Sequence, residues 1–144
     1  MNYFDRSRSQ DVAISGWLMK KSPSMFVSQF QARYVVVTGN DKVLRYFKQE
    51  KDHKEAGSCY LSDVELLQQQ NNEEDCRIFV IKMKEKDRLF VFEASDHATM
   101  MIWVRTLKKV LDGRWSKGQR TEVTDSLPSS HGTSQQSSRD VDNV

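Results

Sequence analysis

The sequence predicts a mainly β fold with one C-terminal α-helix, a seven-stranded bent sandwich or barrel capped by an amphipathic helix. Three observations carry the expectation. Short apolar runs separated by turn residues recur about seven times between Gly16 and Glu93. One stretch near the end, Met100 to Leu111, changes to apolar spacings of three and four residues, the period of a helix. Residues 15–112 hold nearly all of this periodicity, so a chain of 144 residues has room for one domain with short polar ends.

In chain order, residues 1–14 are polar and charge-balanced. Gly16-Trp17-Leu18-Met19-Lys20-Lys21 reads as a strand that ends in charge. Phe30-Gln31-Ala32-Arg33-Tyr34-Val35-Val36-Val37 is a β-branched strand closed by the turn composition Thr38-Gly39-Asn40-Asp41. Lys42-Val43-Leu44-Arg45-Tyr46-Phe47 follows at hairpin distance. Ser58–Leu61 and Val64–Leu67 are shorter runs of the same kind. Arg77–Lys82 and Arg88–Glu93 are joined by the charged turn Lys84-Glu85-Lys86-Asp87. For the helix, Ser95 or Asp96 supplies the cap. Met100, Trp103, Val104, Leu107, Val110 and Leu111 make one apolar face, and Lys108 and Lys109 suit the negative C-terminal end. From Gly113 the chain turns to Ser, Thr, Gln, Gly and Asp, and residues 113–144 are expected as an unstructured tail.

Composition narrows the function classes. No apolar run approaches the roughly 18 residues of a membrane span, and Met1–Arg8 lacks the apolar centre of a secretory signal, so a cytoplasmic setting is expected. Two cysteines, Cys59 and Cys76, make no disulfide framework and read as reduced, half-buried strand residues. His53, His97 and His131 show no metal-ligand spacing with them. A glycine-rich phosphate loop and a nucleophile elbow are both missing, so neither an enzyme nor a cofactor or metal site is expected. Aromatic and basic residues alternate in Arg45-Tyr46-Phe47-Lys48, but strand alternation accounts for this without nucleic acid.

Charge is unevenly distributed. Residues 16–54 carry a net +5, and residues 55–75 a net −6 with no Lys or Arg at all. A fold that holds the two apart has a positive and a negative pole, which can orient it against an anionic surface before contact.

The opening segments resemble a known family. Gly16-Trp17-Leu18-Met19-Lys20-Lys21, a loop, and then Phe30–Val37 are similar to the first hairpin of a pleckstrin-homology (PH) domain. Leu44-Arg45-Tyr46-Phe47-Lys48 resembles that family's third strand, and Trp103 stands where it places a tryptophan in its C-terminal helix. The resemblance covers residues 15–112 and implies a non-catalytic, peripheral membrane adaptor of signalling proteins. Its anionic lipid headgroup would bind between the first two strands and the loop joining them. By the same resemblance Lys20, Arg33 and Tyr46 are headgroup ligands, and the adjacent charge of Lys21 is expected to join them. An ammonium gives a mobile charge, a guanidinium a bidentate fork, and a phenol a directed hydrogen bond.

Two positions depart from the members that bind polyphosphorylated inositides tightly: Gln31 and Ala56 stand where those carry basic residues. A glutamine at the first position is familiar in PH domains that recognise phosphatidylinositol 4-phosphate, which favours a monophosphorylated lipid. In the loop, Met25-Phe26-Val27 sit between serines and are expected to enter the lipid interface beside the basic residues. The alternative is a protein-interaction PH domain with little lipid selectivity, in which the acidic run Asn71–Asp75 and the edge strands meet a protein partner.

Overall fold

The computed structural model describes residues 9–22, 29–85 and 88–123. A 3-10 turn, Ser9–Asp11, leads into β1 (Val12–Lys21), followed by β2 (Phe30–Thr38), β3 (Val43–Phe47), β4 (Gly57–Tyr60), β5 (Val64–Gln69), β6 (Ile78–Met83), β7 (Leu89–Glu93) and α1 (His97–Leu111). The strands form one antiparallel sheet in the order β4-β3-β2-β1-β7-β6-β5. The expected seven strands and closing helix are therefore all present, with boundaries within a few residues.

The bend has a visible origin. β1 pairs with β2 over its whole length, from Val12 opposite Thr38 to Lys21 opposite Phe30, but meets β7 only at Met19 and Lys20. Beyond that contact the sheet parts, and its two halves close over a shared core. Leu18, Val35, Val37 and Leu44 come from one half, and Leu67, Phe79, Ile81 and Phe92 from the other. α1 covers the open side with Met100, Trp103, Val104, Leu107 and Val110, all buried. Its start is fixed by Asp96, whose Oδ1 accepts from the Thr99 N–H at 2.7 Å. Trp103 is fully buried, and its indole N–H has no hydrogen-bond partner among the described residues, so apolar packing alone holds it.

Three expectations are corrected. The domain begins at Val12 and not at residue 15, because the hairpin with β2 runs that far. The cysteines are buried, not half-buried, and Cys76 lies in the connection before β6, its thiol directed at the Ile78 carbonyl at 3.3 Å. The chain after the helix is the third correction, since residues 113–123 are packed as a strap against β1. Trp115 is 8% exposed, lies over Gly39, and donates from Nε1 to the Gln119 carbonyl at 3.1 Å. The Gly118 N–H donates to the Gln10 carbonyl and the Thr121 N–H to the Ala13 carbonyl, with Thr121 bridged parallel to Ile14.

The physical reason is the parting of the sheet. β7 leaves the N-terminal half of β1 without a neighbour on one side, and buried backbone groups there require partners. The strap supplies them, and Trp115 is the apolar anchor that the polar composition around it obscured. Residues 124–144 lie outside the described residues.

Trp115→Ala is expected to lower the free energy of unfolding by about 3 kcal/mol, the low end for removing a buried tryptophan. A chain ending at Asp112 should lose at least as much, while one ending at Val123 should match the full chain in urea unfolding. Equal stability of all forms would show the strap to be merely draped.

Candidate anion-binding site at the open end of the sandwich

Side chains alternate along a strand, so the inward row that carries Leu18 continues to Lys20, and the row that carries Val37 and Val35 continues to Arg33 and Gln31. On β3, Tyr46 follows Leu44 inward, opposite Val35. Past its last apolar layer the sandwich therefore turns polar, and Lys20, Arg33 and Tyr46 come together at its mouth. Phe90 and Phe92 of β7 form the far wall, Phe92 being the ladder partner of Lys20.

The Lys20 ammonium lies 4.9 Å from the centre of the Tyr46 ring and 5.7 Å from that of Phe90. Arg33 donates from Nη1 to the Ala32 carbonyl at 2.7 Å and from Nη2 to Gln31 Oε1 at 2.9 Å. Gln31 therefore braces the guanidinium and adds no charge. Neither Lys20 nor Arg33 pairs with a carboxylate among the described residues. Tyr46 is set edge-on to Phe90, and its hydroxyl lies against Gly57. A Cβ there would stand 2.1 Å from the phenol oxygen, so only glycine lets the ring lie down.

Burial, followed by the neighbouring Arg33 charge, holds the Lys20 ammonium below its ordinary pKa of 10.5. Burial pushes the Tyr46 phenol up, opposed in part by Arg88, so the hydroxyl remains a donor. The Cys59 thiol beneath it is pushed up to about 11, chiefly by burial, which makes it an inert wall group.

The remaining expected residues fall elsewhere. Lys21 points to the opposite face of the sheet from Lys20 and is exposed. Met25, Phe26 and Val27 lie outside the described residues. Arg88 is an addition that the reading of the sequence assigned to a strand end. Its guanidinium lies 5.1 Å from the centre of the Phe90 ring, with Nη2 3.4 Å from the Ser58 carbonyl and Nη1 3.7 Å from Glu85. The alternation Arg88, Phe90, Phe92 was legible and places all three on the inward row.

A family model described as PH domain matches residues 12–112. The chain belongs to the PH domain family. Among its relatives, Rho GTPase-activating protein 24 of Rattus norvegicus is 28% identical over 118 residues, which are 76% of this chain and 15% of that protein. The chain thus spans about 15% of the length of the curated relatives it matches. Among solved structures, the Slm1 PH domain in complex with inositol-4-phosphate is 26% identical, with a TM-score of 0.57, covering 67% of this chain and 93% of that one. The N-terminal PH domain of human ARAP2 is 27% identical with a TM-score of 0.55, covering 85% and 95%. No helix of the described residues in this PH domain is long and apolar enough to cross a membrane.

Lys20 is a charge the PH fold holds against its own preference. Its pKa is lowered on folding, so the penalty is full wherever the ammonium is charged in both states. It fades as pH rises through the lowered value toward 10.5. Lys20→Met is accordingly expected to raise the thermal midpoint at pH 7 in anion-free buffer, and the advantage should close near pH 10.5. A lower midpoint at pH 7 would mean that Lys20 stabilises the fold.

Proposed function

We propose that this PH domain is a non-catalytic membrane-targeting and adaptor module. It binds the headgroup of a phosphoinositide or other anionic lipid through the ends of β1 and β2 and the loop joining them. The observation that carries this reading is the meeting of Lys20 and Arg33, without a carboxylate partner among the described residues, in a mouth walled by Tyr46 and Phe90. An arriving phosphate relieves the mutual repulsion of the two cations and takes charge-assisted hydrogen bonds from both. Tyr46 adds a neutral donor, and Arg88 a third cation on the β4 side.

A monophosphorylated headgroup, such as that of phosphatidylinositol 4-phosphate, suits the site best. Gln31 and Ala56 provide no charge for further phosphates, and the similar Slm1 PH domain is in complex with inositol-4-phosphate. We assign Lys21 to the surrounding anionic surface and Met25, Phe26 and Val27 to the lipid interface, which makes the protein peripheral to a cytoplasmic membrane face. The Rho GTPase-activating relatives are far longer than this chain, which fits a signalling role as the docking portion of a larger activity. The second reading, a protein-interaction module, draws on Glu73, Glu74 and Asp75, all exposed, and on Tyr60, exposed on edge strand β4.

In vesicle co-sedimentation at physiological salt, the parent should bind one phosphoinositide well above a phosphatidylserine control. Lys20→Ala and Arg33→Ala should each weaken binding about tenfold, the value of one charged hydrogen bond. Arg88→Ala should cost less, because that side chain also serves Ser58 and Glu85. Binding that tracks total charge, or is indifferent to the double variant, would move the assignment to the protein-interaction reading.

A further inference from the structure

We propose that the outward rim of β5, β6 and β7 is a second membrane contact, a ledge of Leu66 and Leu89 that enters an anionic bilayer beside the headgroup site. The inference rests on the membrane reading above and concerns a different face of the sheet. Leu66 is the ladder partner of Lys82, and Lys82 of Leu89, so the three side chains form one row across three strands. Their neighbours Leu67, Ile81 and Phe90 are buried, which turns the row outward. Leu66 is 42% exposed and Leu89 57%, two of the three large apolar side chains exposed among the described residues. Two strand spacings, about 10 Å, separate them. Val80 and Val91, half-buried partners on the same face, continue the apolar strip behind the row.

The charges select a lipid surface as the occupant. Lys82 stands in the middle of the row, Lys84 follows it, and Lys21 follows Lys20, the last residue of β1 that pairs with β7; all three are exposed. Of the carboxylates near this rim, Glu85 is held by Arg88, Glu65 adjoins Leu66, and Asp63 lies beside Lys84, so Lys21, Lys82, Lys84 and Arg88 outnumber them by one among the described residues. Lysine at the centre of an apolar patch is unfavourable in a protein interface, whose core is depleted of it. At a bilayer the same arrangement is suited: the leucines enter the headgroup–acyl boundary while the lysine stems extend back to the phosphates.

Two placements reinforce the assignment. β7 carries the headgroup wall on one face, through Phe90, and the ledge on the other, through Leu89, so a headgroup bound at the mouth brings the ledge to the same membrane plane. The acidic residues Glu73, Glu74 and Asp75 precede the other end of β6, roughly 17 Å along the strand, away from that plane.

The test is the double variant Leu66→Gln/Leu89→Gln of the full chain. Binding is measured on phosphatidylcholine–phosphatidylserine vesicles with and without mixed phosphoinositides, alongside the thermal midpoint and sedimentation velocity. The variant should bind roughly tenfold more weakly to both kinds of vesicle, having lost partial burial of two leucines. Its preference for phosphoinositide and its thermal midpoint should be unchanged. Leu66→Met/Leu89→Met should keep parental binding. A Gln variant that binds like the parent would overturn the ledge and leave the headgroup reading intact. A parent that binds neither vesicle would overturn both. A parent that is dimeric and a Gln variant that is monomeric would assign the leucines to contact between copies, and the ledge would be withdrawn.

Discussion

The divided pairing of β1 is the constraint from which the rest of this molecule follows. One strand serves as the spine of both half-sheets, yet it shares only Met19 and Lys20 with β7. On the N-terminal side of that junction the halves diverge and leave a gap that α1 and the strap close. On the C-terminal side the inward rows run past the core and become the mouth that holds Lys20, Arg33 and Tyr46. A strand pairing on both sides throughout would give a flatter sheet, with neither a seam for Thr121 nor a walled site at its end.

The same geometry accounts for the tension at the mouth. Inward positions of a sandwich are where apolar residues stabilise most, about 1.5–3 kcal/mol for a large side chain. Here two such positions carry cations set side by side. The aromatic rings of Tyr46 and Phe90 temper this by giving the Lys20 ammonium a favourable face, and Gln31 orients the Arg33 fork. What remains is a positive mouth whose side chains are already held in place, so an anion that bound there would do so without an ordering cost. Stability is forgone at these residues, and the buried Trp103 and Trp115 supply it elsewhere.

Most of the fold was legible because its signals are local. A period of two in the strands, a period of three to four in the helix, and a capping aspartate each lie within a dozen residues. The strap was not legible, because its reason lies about a hundred residues away, in the unpaired edge at Ala13, and nothing near Trp115 announces it. Lys20, Arg33 and Tyr46 entered through a family resemblance, and their convergence depends on register, which no single segment encodes. Lys20 and Lys21 show the limit most clearly. Adjacent in sequence and alike in charge, they stand on opposite faces of the sheet, so one borders the mouth and the other the outer rim.

Charge counted along the chain also changes meaning once the chain is folded. The basic segment 16–54 carries a net +5, but Arg45 is paired with Asp41 and with Glu55 of the acidic segment, and Lys42 reaches the Leu111 carbonyl at the end of α1. Those cations hold the fold together and contribute little to an external field. Within that segment, the ones left to act outward are Lys20 and Arg33 at the mouth, Lys21 on the rim, and Lys48, Lys51 and Lys54 in the β3–β4 connection. Each of these groups stands at or near a strand end or loop on the side of the mouth, while Glu73, Glu74 and Asp75 extend from the opposite end of β6. The polarity of the basic segment is therefore set by which charges folding leaves unneutralised, and the strand topology decides that.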